Sequence, residues 1–244
     1  MSNRLKFFLS HLFISAMIAL IVVGLVFFVW YPAPLAEAVG VTDIFLMLLV
    51  IDVIVGPVLG WLVYKEGKKT LKMDLSIIIL LQLSALLYGI YSIGQGRPVW
   101  LAYTVDRFEV VRKNELIEDN IAKALPQYQQ PSWFKPQFVG VVFAKDTNVR
   151  NDEMFQELFA GISISQKPER YVPLIDVKNQ IQQRAQDLKL LKQFNDPQSV
   201  QKILAKYPQA NAFIPLKATA IDMTVLINKE TGDVVKIVDL RPWK

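Results

Sequence analysis

The sequence predicts a membrane protein, with an N-terminal three-helix transmembrane bundle in residues 1–95 followed by an α+β soluble domain with an antiparallel sheet in residues 96–244. Three observations predict it. The apolar residues, 52% of the chain, are unevenly distributed and form three long runs before residue 95. Charge before Gln95 is confined to Glu37, Asp43, Asp52, Glu66 and Asp74 and to Arg4, Lys6, Lys65, Lys68, Lys69 and Lys72. After Gln95, short β-branched and aromatic runs alternate with helical patterns and turn residues.

The first span covers about residues 9–30 and, at about 1.5 Å per residue, is roughly 33 Å long, enough to cross the hydrocarbon core. Trp30 and Tyr31 form its aromatic edge. Ala36 and Ala38 offer a small-residue cleavage pattern, but the apolar run is too long for a signal peptide and two further spans follow, so an uncleaved anchor is expected. The second span covers about residues 41–64 and the third about 75–93. Between them, KEGKKTLKMD carries Lys65, Lys68, Lys69 and Lys72, whereas YPAPLAEAVGVTD, joining the first two spans, has no base. The positive-inside rule then places the N-terminus and the lysine loop in the cytoplasm, and three crossings place the soluble domain in the periplasm of a bacterial inner membrane.

Asp52 falls near the bilayer centre, where a carboxylate costs several kcal/mol unless paired, hydrated or protonated. Gln82 and Ser84 of the third span lie at similar depth and are its expected partners. His11, the only histidine, is expected nearer the headgroups. Asp52, Gly56, Gly60 and Tyr64 recur every four residues and form one stripe of the second helix, and Pro57 should kink that helix. Two readings of the stripe stand: a groove that receives a helix of another protein, or packing against this chain's own spans. A proton pathway is disfavoured, because no second acid or base accompanies Asp52 inside the membrane.

In the soluble domain, Gly94, Gly96 and Pro98 mark the exit from the membrane, and VWLAYTVDRFEVVRK reads as two short strands. ELIEDNIAKAL reads as a helix ended by Pro126, QFVGVVFAK as a buried strand, and DEMFQELFAG as a helix closed by Gly161. Residues 175–194 place Val177, Ile181, Ala185, Leu188 and Leu191 at helical spacing and predict the domain's longest helix, capped by Asp176. Asp196 and Pro197 start another, to about Tyr207. AFIPLKA, IDMTVLINKE and DVVKIVDL are strand-like, the last two forming a hairpin around Thr231-Gly232. The helices are expected on one face of the sheet.

The net charge of +5 is spread among acids rather than gathered into a run, which argues against nucleic acid. With no cysteine, and with His11 in the membrane segment, zinc sites, thiol chemistry and histidine triads are not expected, and no cofactor loop is present. Asp106, Glu109, Asp222 and Asp239 are the carboxylates that a hydrolase would have to bring together, though solvated acids at strand ends are the commoner case. No enzyme, metal or cofactor is expected. Asp106-Arg107 reads as an ion pair or turn, or with Arg107 as part of a docking surface. Trp243 closes the core or anchors at the lipid surface.

Taken in order, the three spans, D-V-I-V-G-P from Asp52 to Pro57, Y-T-V-D-R-F from Tyr103 to Phe108, Y-V-P-L from Tyr171 to Leu174, T-G-D-V from Thr231 to Val234 and the closing L-R-P-W resemble the TfpX/TfpZ family of type IV pilin accessory proteins over essentially the whole chain. The resemblance implies an inner-membrane factor, without enzymatic activity, that helps a major pilin to be stable or assembled, with pilin and other pilus assembly proteins as partners. It carries no binding residues over. Asp52, Gly56, Pro57, Gly60 and Arg107 are candidate partner-binding residues on their own physical grounds, and Gly56 with Gly60 would let a pilin helix approach closely.

Overall fold

A computed structural model describes residues 1–243. The chain divides into two compact units. One comprises Met1–Trp30 and Val41–Gly96, and the other comprises Tyr31–Gly40 and the chain from Arg97 onward. The short segment between the first two spans therefore belongs with the soluble unit, although the sequence places it among the membrane helices.

Three helices in the first unit are long and apolar enough to cross a bilayer: Asn3–Trp30, Thr42–Val63 and Leu71–Gln95. The first opens on Ser2, whose hydroxyl accepts the Leu5 N–H, and widens into π-helical turns at Leu25–Trp30. Apolar side chains cover all sides of these helices, and many point outward, Leu20 and Leu81 each being 65% exposed. Such a surface suits hydrocarbon rather than water. The second helix packs along both others. Gly89 admits Leu48, whose Cδ1 would stand 2.8 Å from a Cβ there, and Val26 and Phe45 are fully buried at the opposite contact.

The soluble unit is an α+β region built on one sheet of eight strands: β1 (Pro98–Tyr103), β2 (Phe108–Arg112), β3 (Gln137–Val141), β4 (Tyr171–Val172), β5 (Gln186–Asp187), β6 (Ala212–Lys217), β7 (Met223–Asn228) and β8 (Asp233–Val238). The order is β4-β3-β1-β2-β6-β7-β8, with β5 on β6. The sheet is mixed, not antiparallel as expected. β1 pairs with β3 and β2 with β6 in parallel. Parallel neighbours need long crossovers, and the connections from β2 to β3 and from β4 to β6 supply them. The hairpins β1/β2 and β7/β8 match the sequence reading, with Gly232 at φ 70° in the second turn.

Helical material covers both faces of this sheet rather than one. On one face Leu101, Tyr103, Phe108, Ile214, Met223 and Val225 pack with Val177, Ile181 and Ala185, and also with Leu35 and Ala38 from the segment between the spans. The N–H groups of Ala220 and Ile221 donate to the Ala38 carbonyl at 2.9 and 3.1 Å. On the other face, Trp100, Val139 and Tyr171 meet Tyr128 and Ile164, and Phe213 and Leu226 meet Leu191 and Val200. Strands buried on both sides lose the alternation that a half-exposed strand would show. A register irregularity between Pro98 and Trp100 puts Val99 and Trp100 in the same core.

Two expected helices are absent. Residues 115–125 form only tight 3₁₀ turns, at Lys113–Glu115 and Ile121–Lys123. The long helix over residues 175–194 breaks into Leu174–Val177, Lys178–Arg184, strand β5 and Leu188–Gln193, because Gln186 and Asp187 leave the helix to pair with Phe213 and Ala212. Its periodic residues Val177, Ile181, Ala185 and Leu191 are buried all the same. Asp176 caps nothing there. Asp187 instead accepts the Lys189 N–H, and Asp196 caps Pro197–Leu204 through the Ser199 N–H at 2.7 Å. The helix expected from Asp152 starts earlier, at Thr147 behind Asp146, and ends at Gly161 in the left-handed conformation.

Candidate functional site

In the membrane unit, a cavity of about 330 Å³ opens between the first and third helices. Phe7, Ile14, Ile18, Ile79, Leu83 and Leu86 make its walls, and Ser10, His11, Ser15, Asp52 and Gln82 supply its polar groups. Gln82 is the hub. Its Oε1 lies 2.9 Å from His11 Nε2, and its Nε2 donates to Ser15 Oγ at 3.0 Å and to the Asp52 carbonyl at 2.9 Å. One amide thereby ties all three helices together where no water competes.

His11, expected too near the headgroups to meet Asp52, shares the Gln82 amide group with the Asp52 carbonyl. The first helix begins at Asn3, which sets His11 roughly 12 Å inside it at helical rise. Ser84, the other expected partner of Asp52, is exposed on another face, since two residues turn a helix by about 200°. Gly56 and Gly60 face the chain's own helices. A Cβ at Gly56 would fall within the Gln82 side chain, and one at Gly60 would stand 2.8 Å from Phe7 Cε1. Pro57 is buried beside them inside the second helix. Within the unit, the stripe is therefore filled at its two glycines, and Asp52 is the member that opens onto the cavity.

In the soluble unit, Arg107 sits at the β1/β2 turn and its Nε donates to Glu109 Oε1 at 3.0 Å. Glu109 is buried, and its other oxygen accepts the hydroxyls of Ser163 and Ser165 at 2.9 and 2.7 Å. Burial pushes this carboxyl up, but the hydroxyls of Ser165 and Ser163 together with Arg107 outweigh it and hold it below the usual carboxylate value. Arg107 keeps a third of its side chain exposed and borders a small cleft with Val105, Phe143 and Glu157. Nearby in sequence, Phe155 and Phe159 stack at 5.9 Å on an outward face that includes Leu158, and Phe159 is 81% exposed. A second, polar pocket of about 430 Å³ holds buried Glu153, bound to Arg170 at 2.8 Å, and Lys167, bound to Gln156 at 2.7 Å.

Of the four carboxylates, Asp106 and Glu109 share the Arg107 cleft, at 3.9 and 3.0 Å from its guanidinium, while Asp222 and Asp239 lie beside Arg241. Glu109 is held as described. Asp222 accepts the Ala218 N–H and the Trp243 indole N–H, and Asp239 pairs with Arg241. Trp243 thus closes the chain onto the soluble unit. No cluster of three metal-ligating side chains occurs among the described residues.

Known proteins place this arrangement in a family. A family model for fimbrial assembly protein FimB matches residues 1–40. The fimbrial assembly protein of serogroup I from Dichelobacter nodosus is 32% identical over 180 residues, 73% of this chain and 70% of the relative. That of serogroup E1 is 31% identical over 201 residues, 82% of this chain and 75% of the relative. The chain belongs to the fimbrial assembly protein family. No solved structure matches it. The FimB-matched segment contains His11, Ser15 and most of the segment between the first two spans.

Sequence reasoning brought Asp52 and Gln82 together and missed His11 and Ser15. Their spacing of four residues, one face of a helix, was the available signal. The Glu109–Ser163–Ser165 group had no such signal, because Glu109 lies more than fifty residues from the two serines and meets them only through the fold.

Proposed function

We propose that this chain is an inner-membrane accessory protein of type IV pilus assembly, of the TfpX/TfpZ kind, which stabilises a cognate major pilin or loads it for assembly. The observation that carries this reading is similarity to fimbrial assembly proteins over 82% of the chain, spans and soluble region included. It acts as a chaperone or loading factor and not as an enzyme, and its other partners are components of the assembly machinery. A membrane-inserted pilin has an apolar helix and a water-soluble head, and this chain has a unit suited to each.

The segment 31–40 shares a compact unit with the chain from Arg97 onward, which supports a topology with both on one side of the bilayer. Lys65, Lys68, Lys69 and Lys72 lie between the other two spans, on the opposite side. The positive-inside rule then gives a cytoplasmic N-terminus and a periplasmic soluble unit. In this scheme Asp52 faces the partner's helix, while Gly56, Pro57 and Gly60 bring the flanking helices close enough to shape the seat. Arg107 and the apolar residues beside its cleft meet the pilin head.

Deleting the gene while following pilin by immunoblot and intact mass tests the proposal. Loss of pilin, with its mass unchanged in what remains, is the expected outcome. Normal pilin levels carrying a missing mass increment would replace the accessory role with a modifying enzyme.

A further inference from the structure

We infer that the cavity between the first and third spanning helices is a lateral seat for one transmembrane helix of a partner, a helix carrying a single hydrogen-bond donor at the depth of Asp52. The inference rests on the reading that this chain handles a membrane-inserted subunit, and it adds where that helix sits and which chemistry recognises it.

Depth comes first. Asp52 is near the middle of Thr42–Val63, about 15 Å from either end at helical rise. A donor that meets it must therefore come from a segment that itself crosses the membrane. Hydrogen-bonding capacity at Asp52 points the same way. A glutamine side chain has two amide N–H groups, and those of Gln82 go to Ser15 Oγ and to the Asp52 backbone carbonyl. The Asp52 carboxylate is reached by that same shared amide, which leaves most of its acceptor positions open. His11 Nε2 faces the Gln82 oxygen and donates to it, so this ring nitrogen is turned away from the Asp52 carboxylate's needs. The ring's Nδ1 is buried without a hydrogen-bond partner. Apart from the Gln82 amide and His11, only the Ser10 and Ser15 hydroxyls of the lining could donate, and no bond joins either to Asp52, whose carboxylate keeps acceptor capacity to spare.

Shape supplies the third argument. The walls are aliphatic and aromatic, from Phe7, Ile14, Ile18, Ile79 and Leu83, and the cavity is open at its side. A lipid chain satisfies such walls but brings no donor to a carboxylate in hydrocarbon, where an unanswered charge is costly. A helix with one amine or amide side chain satisfies both. The glycine positions do not compete for this role, being filled by Gln82 and Phe7.

The test uses the full-length protein in phospholipid vesicles, with a fluorophore on Lys69→Cys; the chain has no cysteine of its own, so labelling is unique. Two synthetic Leu/Ala transmembrane peptides are titrated in, identical except for one central Lys. Energy transfer should report association about tenfold stronger for the Lys peptide, and Asp52→Leu should remove the difference. Leu83→Trp, which fills the cavity from its wall and leaves the polar floor intact, should weaken the Lys peptide by a similar factor. Leu80→Ala on the outward face should change nothing. Equal association of the two peptides, or a preference that survives Asp52→Leu and Leu83→Trp, overturns the seat and leaves a lipid-filled cleft. Pilin copurification is scored separately, so a peptide preference without pilin would retain the seat and discard the pilin reading, and the reverse pattern would do the opposite.

Discussion

The membrane unit and the soluble unit are stabilised by opposite economies of polar groups. In the first, one amide, Gln82, links three helices that otherwise meet mostly through apolar side chains, with Arg4 donating to the Trp61 carbonyl as a second polar tie, and small residues at Gly56, Gly60 and Gly89 set how closely they approach. In the second, an eight-stranded sheet buries apolar side chains on both faces, and its buried carboxylates, Glu109 with Arg107 and Glu153 with Arg170, are paired away from that core. Hydrocarbon gives helices no hydrophobic reason to associate, so a single polar hub matters there. Water drives the sheet's burial, so there the apolar core dominates.

The largest expected effect sharpens the boundary between the two. Leu35 lies between two spans in sequence yet is 2% exposed in the soluble core. Leu35→Ala should destabilise the soluble unit by about 2–5 kcal/mol, read from thermal unfolding of its tertiary signal in detergent. If that segment merely capped the membrane helices, the soluble transition would not move.

Next in size is the ion pair. Arg107→Ala takes a charged partner from buried Glu109 and should cost about 1–3 kcal/mol in the same assay. A carboxyl whose folded-state value lies below its unfolded one contributes stability above the unfolded value and loses it as pH falls through the folded one. The soluble unit should therefore weaken on acidification below about pH 4.5, and Glu109→Gln should flatten that part of the profile. A profile unchanged by Glu109→Gln would mean that other carboxylates set the acid limit. The smallest expected effect is in the membrane. Gln82→Leu should reduce the stability of the helix bundle by about 0.6–2 kcal/mol, measured by its unfolding in a mixed micelle series.

Legibility in the sequence also differs between the units. The spans follow from hydropathy and length, and the lysine loop from four residues. Asp52 with Gln82 followed from counting depth along two helices. The His11 contact is not legible by depth along one span, because it depends on the reach of the Gln82 side chain from another helix. In the soluble unit, local devices were readable: the turn at Thr231-Gly232 and the Asp196 cap. The parallel pairings β1/β3 and β2/β6 were not, since they join segments far apart in the chain. Pairing with β6 also overrides the helical spacing of residues 175–194 at Gln186. The role of Leu35 and Ala38 was hidden for the same reason, because their partners at Ala220 and Ile221 lie at the other end of the sequence.

The measurement that tests the central claim most directly is purification of the protein from its native membrane in a mild detergent, with mass spectrometry of what remains bound. The account predicts major pilin as the dominant partner. Pilus assembly components recovered without pilin would contradict it and move the protein from pilin handling to the machinery itself.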